Sequence, residues 1–329
     1  MERLIELIQK SQSILLSTHR QCDGDGLGAE LALYFALKKI NKDVRIINVD
    51  ETPRKYRFLS PDFHITYFSE KPDLQAQADL CLIFDTNDER LLEPLYSKVL
   101  KPHCRHIAFI DHHPVLKQGP QPTRDSFIDV QSASTGEIAY RIIRALGIEL
   151  DTDIAKALYT SITFDTQLYR YIRGSANSHR IAAELLDYPI DVTLIHRHLF
   201  GHQTVQKFAF LAKALGQIEY FCDGQLAILK LRDADLFHYN LEPDESRDVI
   251  DMVMNIETLE AAALFREDAP GEYKVSLRSK GQIEVVSVAE QLGGGGHVHA
   301  AGAFVRRPYN EVKDLVVREL SKKLSVAGT

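Results

Sequence analysis

Aspartate and histidine crowd into three short segments of this chain, and each segment follows a run apolar enough to be a buried strand. His19, Asp23 and Asp25 come after Ile14-Leu15-Leu16-Ser17, Asp85 ends Asp79-Leu80-Cys81-Leu82-Ile83-Phe84, and Asp111-His112-His113 closes His106-Ile107-Ala108-Phe109-Ile110. One carboxylate and two imidazoles at an exposed strand end have little use in a core. They suit a divalent metal beside a phosphate. Carboxylate oxygens favour hard divalent cations, and imidazole moves the preference toward manganese, iron, cobalt or zinc. Four carboxylates together with imidazoles are too many donors for one catalytic zinc. They fit two ions sharing a bridging carboxylate, roughly 3.5–4 Å apart, which clamp the attacking and leaving oxygens of a phosphoryl transfer. Water held there becomes acidic enough to attack phosphorus near neutral pH. With no cysteine among the ligands, manganese is favoured over a structural zinc.

These segments need a scaffold that gathers them. Up to about residue 150, short apolar strands at 13–17, 44–50, 79–85 and 106–110 alternate with helical patterns at 2–9, 27–40 and 134–146, which predicts an α/β fold with a parallel sheet. In an open parallel sheet the loops at the carboxyl ends of the strands converge on one crevice, so a single geometric rule collects all three motifs. A further helical run, 153–164, ends at Asp165 and offers a ligand from outside the sheet; another helix is expected over 178–187. Gly24 is read as a sharp turn that lets Asp23 and Asp25 face inward, and the helix after Gly28 as one whose first N–H groups point at the metal and phosphate. Around 190–215 the chain becomes polar and helical; His196, His198 and His202 lie close in sequence there, and a solvated linker is the simpler reading than a metal site. Beyond it, strands are expected at 226–231, 260–266 and 272–278, and helices near 244–255 and before the glycines. The run Gly293-Gly294-Gly295-Gly296-His297 is flanked by ordered apolar patterns. It reads as a tight backbone turn able to approach an anion rather than as a flexible linker.

A length of 329 residues suggests two domains, and 45% hydrophobic with 26% charged residues describes an ordinary globular protein. No apolar run reaches the roughly 20 residues that span a bilayer, and the amino terminus is unlike a signal peptide, so the expected location is the cytoplasm, with no membrane partner. The four cysteines, Cys22, Cys81, Cys104 and Cys222, form no CxxC pair and are read as reduced thiols. A formal charge of −7 argues against a protein that grips long duplex by its phosphates, while leaving short or small anions as substrates.

Taken together, these residues resemble the DHH phosphoesterases, and within them the DHH plus DHHA1 group of nanoRNases and 3′-phosphoadenosine-5′-phosphate (pAp) phosphatases. The likeness runs over nearly the whole chain: His19 with Asp23-Gly24-Asp25, Asp85-Thr86, Asp111-His112-His113, Asp165-Thr166, Arg278-Ser279-Lys280, and Gly293–Gly296 with His297 and Ala300-Ala301-Gly302. It implies a parallel-sheet DHH domain with helices on both faces over residues 1–190, a helical linker over 191–215, and a smaller α/β DHHA1 domain over 216–329 across a cleft. It further implies that His19, Asp23 and Asp85 hold one manganese ion and Asp25, Asp85, His112 and Asp165 the other, with Asp85 as bridge and catalytic residue. His113 would face the scissile phosphate, and Arg278, Ser279, Gly294, Gly295, Gly296 and His297 would bind the substrate's other end. Asp111 would stand behind the imidazoles and orient them. Cys22 departs from the family, where proline is usual, and removes no ligand; Asp88 receives no role.

The function so implied is a manganese-dependent phosphohydrolase that degrades very short RNA to mononucleotides and removes the terminal phosphate of pAp. Hydrolysis of cyclic dinucleotides, or of their linear products, uses the same chemistry, and both readings stand at this point. The family's long-strand DNA exonucleases carry extra nucleic-acid modules for which this length leaves little room, and its pyrophosphatases have a different carboxy-terminal domain. From another class, a nucleotide-binding protein without catalysis is weighed down by the presence of every expected ligand. A homodimer is compatible with all of these.

Overall fold

Ile14, Leu15 and Leu16 are successive residues and all fully buried, the pattern of a strand covered on both faces. In the computed structural model they lie in β1 (Ser13–Thr18), behind helix α1 (Glu2–Lys10). The structure describes residues 1–59, 65–71, 74, 76–116, 119–201, 204–241 and 246–327. Two units emerge, Met1–His202 and Gln203–Thr329.

In the first unit, α2 (Gly24–Lys39) leads to β2 (Asp43–Asn48), β3 (Thr66–Tyr67) and β4 (Ala78–Phe84). After the single turn α3 (Lys101–His103) come β5 (Cys104–Asp111), β6 (Phe127–Ile128), α4 (Thr135–Ala145), α5 (Thr152–Asp165), α6 (Asn177–Leu185) and α7 (Val192–Phe200). All pairings in the sheet are parallel, in the order β3-β2-β1-β4-β5-β6. The chain fills one side of β1 and then the other, so the order reverses between β1 and β4, and the crevice for a ligand opens at their carboxyl ends. His19 and Asp85 follow those two ends. One face of the sheet packs on α1, α2, α4 and α5 through Leu27, Leu31, Ile138, Ile142, Leu158 and Ile162. The other is covered by short helical turns at 89–92 and 96–100, which bring Leu92, Leu95, Val99 and Leu100 onto Leu15, Cys81, Ile83 and Phe109.

The second unit begins with α8 (Val205–Leu215), β7 (Glu219–Phe221), β8 (Leu226–Arg232), α9 (Asp233–His238), α10 (Arg247–Val253), β9 (Ala261–Ala269) and β10 (Glu272–Ser279). It ends with α11 (Val286–Gln291), β11 (Gly295–His297), β12 (Ala300–Arg306) and α12 (Tyr309–Ala327). Its sheet, β11-β12-β10-β9-β8-β7, is antiparallel except for β8 with β9. Alternate residues of β9 serve two cores: Ala261, Ala263 and Phe265 meet Val312, Val316 and Leu320 of α12, while Ala262 and Leu264 meet Phe210, Val249 and Ile250 of α8 and α10.

Several expectations need correction. The stretch at 190–215 is no solvated linker: α7 buries Ile195 and Leu199 in the first unit's core, and α8 buries Phe210 and Leu211 in the second's. His196 Nε2 meets Tyr159 Oη at 3.2 Å and His198 stacks on Phe58, so both rings are packing elements. His202, like residues 244 and 245 of the helix expected at 244–255, lies outside the described residues. The glycine run forms a strand as well as a turn. Gly294 lies so close to β12 that a Cβ there would meet Gly302 O at 2.0 Å, and Gly293 and Gly296 take φ of 80° and 138°. Helix α12 was not anticipated from the sequence.

Candidate metal centre

Helix α2 starts at Gly24, three residues earlier than the sequence pattern suggests, because Asp23 caps it: its carboxylate accepts from the Asp25 and Gly26 N–H groups at 3.1 and 3.4 Å. Those N–H groups therefore face Asp23 rather than a substrate phosphate. Gly24 has an ordinary helical backbone; what it provides is room, since a Cβ there would meet the Phe164 ring at 2.7 Å. A Cβ on Gly26 would meet Thr18 Oγ1 at 2.4 Å, so α2 is drawn tightly onto the ends of the strands.

This approach carries Asp25 into the buried interior. There its Oδ2 accepts the Thr135 N–H at 2.8 Å, and its Oδ1 accepts the Gly136 N–H at 3.1 Å and the hydroxyl of Ser161. The N-terminal turn of α4 thus holds a candidate ligand carboxylate, while Thr135 Oγ1 donates to Asp85 Oδ1 at 3.0 Å. Asp85 leaves β4 with φ of 61°, a left-handed conformation that directs its side chain across the crevice, and its N–H donates to Ile110 O at 2.9 Å.

Around these carboxylates the imidazoles converge. His19 Nε2 lies 3.5 Å from Asp85 Oδ2, and His112 Nε2 lies 3.5 Å from Asp25 Oδ2, 3.6 Å from Asp85 Oδ1 and 3.5 Å from Asp165 Oδ2. Potential ligand atoms of His19, Asp23 and Asp85 all fall within 4.8 Å of one another, as do those of Asp25, His112 and Asp165, and those of Asp85, Asp111, His112 and His113. Two of these rings, His19 and His112, are oriented from behind. His19 Nδ1 meets Arg20 O at 2.8 Å and His112 Nδ1 meets Ser132 O at 3.3 Å; a carbonyl can only accept, so the hydrogen sits on Nδ1 and the Nε2 lone pair faces the carboxylates. Arg173 Nη2 is 3.4 Å from His112 Nδ1, but its guanidinium has a firmer partner in Val130 O at 2.8 Å.

Electrostatics points the same way. Burial, reinforced by Asp165, raises the Asp25 carboxyl well above its ordinary range, and burial with Asp25 and Asp23 does the same to Asp85. Burial and the neighbouring His113 push His112 down to about 3, so it is neutral and able to ligate. Lone pairs aimed at carboxylates that themselves repel one another are resolved by cations. The donor set, all oxygen and imidazole nitrogen, fits hard or borderline divalent ions.

Asp111 is fully buried and spends its oxygens on other groups. Oδ1 accepts the N–H groups of His112 and His113 at 2.8 and 3.1 Å and His113 Nδ1 at 2.8 Å, and Oδ2 accepts Asn87 Nδ2 at 2.6 Å. Burial works against ionised His113, yet the Asp111 charge and hydrogen bond prevail and lift it to about 9. Asp88 caps the turn at 89–92 and grips Arg90, which accounts for it locally. Cys22 is buried between Gln21 and Asp23.

Within the second unit, β12 brings two of the other candidates into one row: Ala300 pairs with Arg278 on one side and with His297 on the other. Directly paired residues share a sheet face, so the guanidinium and imidazole flank the small Ala300 across strands roughly 4.7–4.9 Å apart. Arg278 Nε donates to Asp251 Oδ1 at 3.2 Å, and the Ser279 hydroxyl donates to Ile283 O at 2.7 Å. Gly295 and Gly296 line the edge next to this row within β11, and Gly294 directly precedes them.

Sequence reasoning missed Thr135, Gly136, Ser161 and Asn87. A signal for the first two existed in Ser134-Thr135-Gly136-Glu137, whose spacing is that of a capping box: Ser134 Oγ accepts from Glu137 N at 3.2 Å, while the Glu137 carboxylate reaches one residue further back to Ala133 N at 3.1 Å. Ser161 and Asn87 carried none; only folding brings them to Asp25 and Asp111.

Comparison with known proteins agrees with this architecture. Residues 13–162 match the DHH family, N-terminal domain, and residues 223–325 match the DHHA1 domain. The chain belongs to the DHH phosphoesterase family, in the branch that carries a DHHA1 domain. Among its relatives, the bifunctional oligoribonuclease and PAP phosphatase NrnA of Thermus thermophilus is 29% identical, over 94% of this chain and 90% of its own. The protein of the same name from Mycoplasma genitalium is 25% identical, over 97% and 96%. An exopolyphosphatase-related protein from Bacteroides fragilis shares the fold, with a TM-score of 0.87 at 21% identity, covering 100% of this chain and 98% of that one. Among the described residues no helix is long and apolar enough to cross a membrane.

Proposed function

We propose that this chain is a divalent-metal-dependent phosphoesterase that degrades very short RNA to mononucleotides and removes the terminal phosphate of pAp, with two manganese ions as cofactor. The observation that carries the metal is the pair of imidazoles, His19 and His112, each oriented from a backbone carbonyl so that Nε2 faces carboxylates 3.5–3.6 Å away. The relatives named as oligoribonucleases and PAP phosphatases support the substrate class.

In this reading His19, Asp23 and Asp85 hold one ion and Asp25, Asp85, His112 and Asp165 the other. When bound, the ions supply Lewis acidity toward a phosphoryl oxygen and lower the pKa of an attacking water. The chain's own residues do the rest. Asp25 and Asp85 are fixed by the first turn of α4, so the ligands are ordered before substrate arrives. His113, held protonated by Asp111, is the group able to donate to a phosphoryl or leaving oxygen. Arg278 and His297, in one row on either side of Ala300, with the Gly294–Gly296 edge and Ser279 beside them, bind a second anionic group of the substrate.

The test is turnover of labelled two- to ten-nucleotide RNAs, pAp and cyclic dinucleotides, each with manganese and with chelator. Manganese-dependent release of mononucleotides from the shortest RNAs, and of phosphate from pAp, is expected. Activity confined to cyclic dinucleotides would replace the substrate assignment, and binding without turnover would return the non-catalytic reading.

A further inference from the structure

The segment after Asp165 leaves the metal centre and comes back to it. At its start Asp165 Oδ2 lies 3.5 Å from His112 Nε2, and at its far end Arg173 Nη2 lies 3.4 Å from Nδ1 of the same ring. Between Asp165 and Arg173, whose guanidinium is held by Val130 O at 2.8 Å, Gln167, Leu168 and Tyr169 adopt φ of 47°, 60° and 64° in succession. Three consecutive non-glycine residues in the left-handed region form only where their surroundings impose it. Here the Leu168 N–H donates to Thr163 O, Tyr169 N–H to Thr166 Oγ1 and Tyr171 N–H to Thr166 O, each at 3.0 Å. The Tyr169 hydroxyl meets Thr163 Oγ1 at 3.0 Å and its ring stacks on His179.

This ordered loop ends in a surface without a packing role. Tyr171 is 55% exposed and Leu168 45%, although the Tyr171 backbone is bonded to the residue next to Asp165. The Arg170 guanidinium lies over the Tyr171 ring, 5.5 Å from its centroid. A flat aromatic ring beside a cation, on a loop whose backbone is tied to the residue next to Asp165, is the chemistry that receives a nucleobase: every base has a π face to stack, and the cation favours the adjoining phosphate.

We propose that Tyr171, with Arg170 beside it, is the stacking platform for a base of the nucleotide whose phosphate sits at the metal centre. This rests on the nucleotide substrate class given above. Tyr171 then sets affinity for substrates that carry a base and leaves the chemical step to the residues around Asp85.

The experiment compares wild type with Tyr171→Ala and Tyr171→Trp in the full chain with manganese. It uses a diadenosine dinucleotide, the same dinucleotide with abasic sugars, and AMP as a binding probe. On the normal dinucleotide, Y171A should raise KM by about 10-fold or more with kcat little changed, the loss expected for one base–aromatic stack, while Y171W restores KM. On the abasic dinucleotide the three proteins should converge. An unchanged KM in Y171A, or an equal loss on both dinucleotides, overturns the proposal. Should wild type cleave neither dinucleotide, the substrate reading fails separately, and AMP affinity decides this one: about 10-fold weaker binding by Y171A supports stacking, and equal binding overturns it.

Discussion

Asp85 concentrates the demands of this site in one residue. It takes a left-handed φ of 61°, accepts from Thr135, and lies within 3.6 Å of His19, His112 and His113. Asp85→Ala should remove at least about 1,000-fold of turnover on every substrate together with bound metal, because residues acting as a unit fail as a unit. Near-normal turnover with two ions retained would contradict its bridging role. Asp111→Asn should be milder, about 10–100-fold, as its hydrogen bonds orient His112 and His113 from behind. The raised carboxyls also fix a pH dependence. In the metal-free protein Asp25 and Asp85 keep protons at pH values where the unfolded chain, with ordinary carboxylates near 3.9, has lost them. The folded state then binds more protons than the unfolded one, so metal-free stability falls as pH rises above that ordinary value, until the raised folded values are passed. Ions that displace those protons reverse the loss. Chelator should therefore lower Tm more at pH 8 than at pH 5, and manganese binding should release protons, as calorimetry in buffers of different ionisation enthalpy would read. A chelator effect on Tm that is the same at both pH values would contradict this electrostatic account.

The elements that hold these residues meet at unusually small distances. A Cβ on Gly136 would lie 2.2 Å from Ser161 Oγ, so Gly136→Ala should push α4 off α5, cost roughly 1–3 kcal/mol, and weaken metal binding through Asp25. A variant with unchanged Tm and metal affinity would show that the contact is not needed. Helix α2 contains a second buried acid, Glu30, whose Oε2 accepts Asn48 Nδ2 at 3.0 Å and whose carboxyl is pushed up to about 8 by burial. Its pKa is raised on folding, so the cost of keeping it neutral grows from the ordinary carboxyl range up to about 8. Glu30→Gln should raise Tm, and by more at pH 8 than at pH 5; equal shifts would mean that Glu30 is already ionised in the folded protein. Much of this level was legible beforehand. Periodicity located β1, β4 and β5, and the rule of converging strand ends gathered the three acidic and histidine segments. What it did not reveal was the part played by α4. Thr135 and Gly136 bind Asp25 from 110 and 111 residues away, and a serine, a threonine and a glycine look alike whether they merely cap a helix or cap it around a ligand. Gly24 was misread for a related reason, because room for Phe164 is a tertiary requirement that leaves no local pattern.

At the scale of the whole molecule, all proposed metal ligands lie in the unit Met1–His202 and the Arg278 and His297 row in the unit Gln203–Thr329, which suggests a division between chemistry and substrate grip. Replacing both Arg278 and His297 by alanine should lower turnover of dinucleotides and pAp by about 100-fold with metal content unchanged, the share of a barrier that positioning commonly carries. Parallel loss on a small activated diester with no second anionic group would give those residues a part in the chemical step instead. A net charge of −7 offers no general attraction to a long strand, so rates should fall as RNA lengthens, and a 24-mer cleaved as fast as a dimer would contradict this. The central claim remains that the carboxylates and imidazoles around Asp85 hold two ions on which hydrolysis depends. It is tested most directly by stripping the protein with chelator and following cleavage of a labelled diribonucleotide as manganese is added back per mole of chain. The prediction is no cleavage in the stripped protein and a rise that completes at two equivalents. Full activity in the stripped protein, or a rise complete at one equivalent, would contradict it.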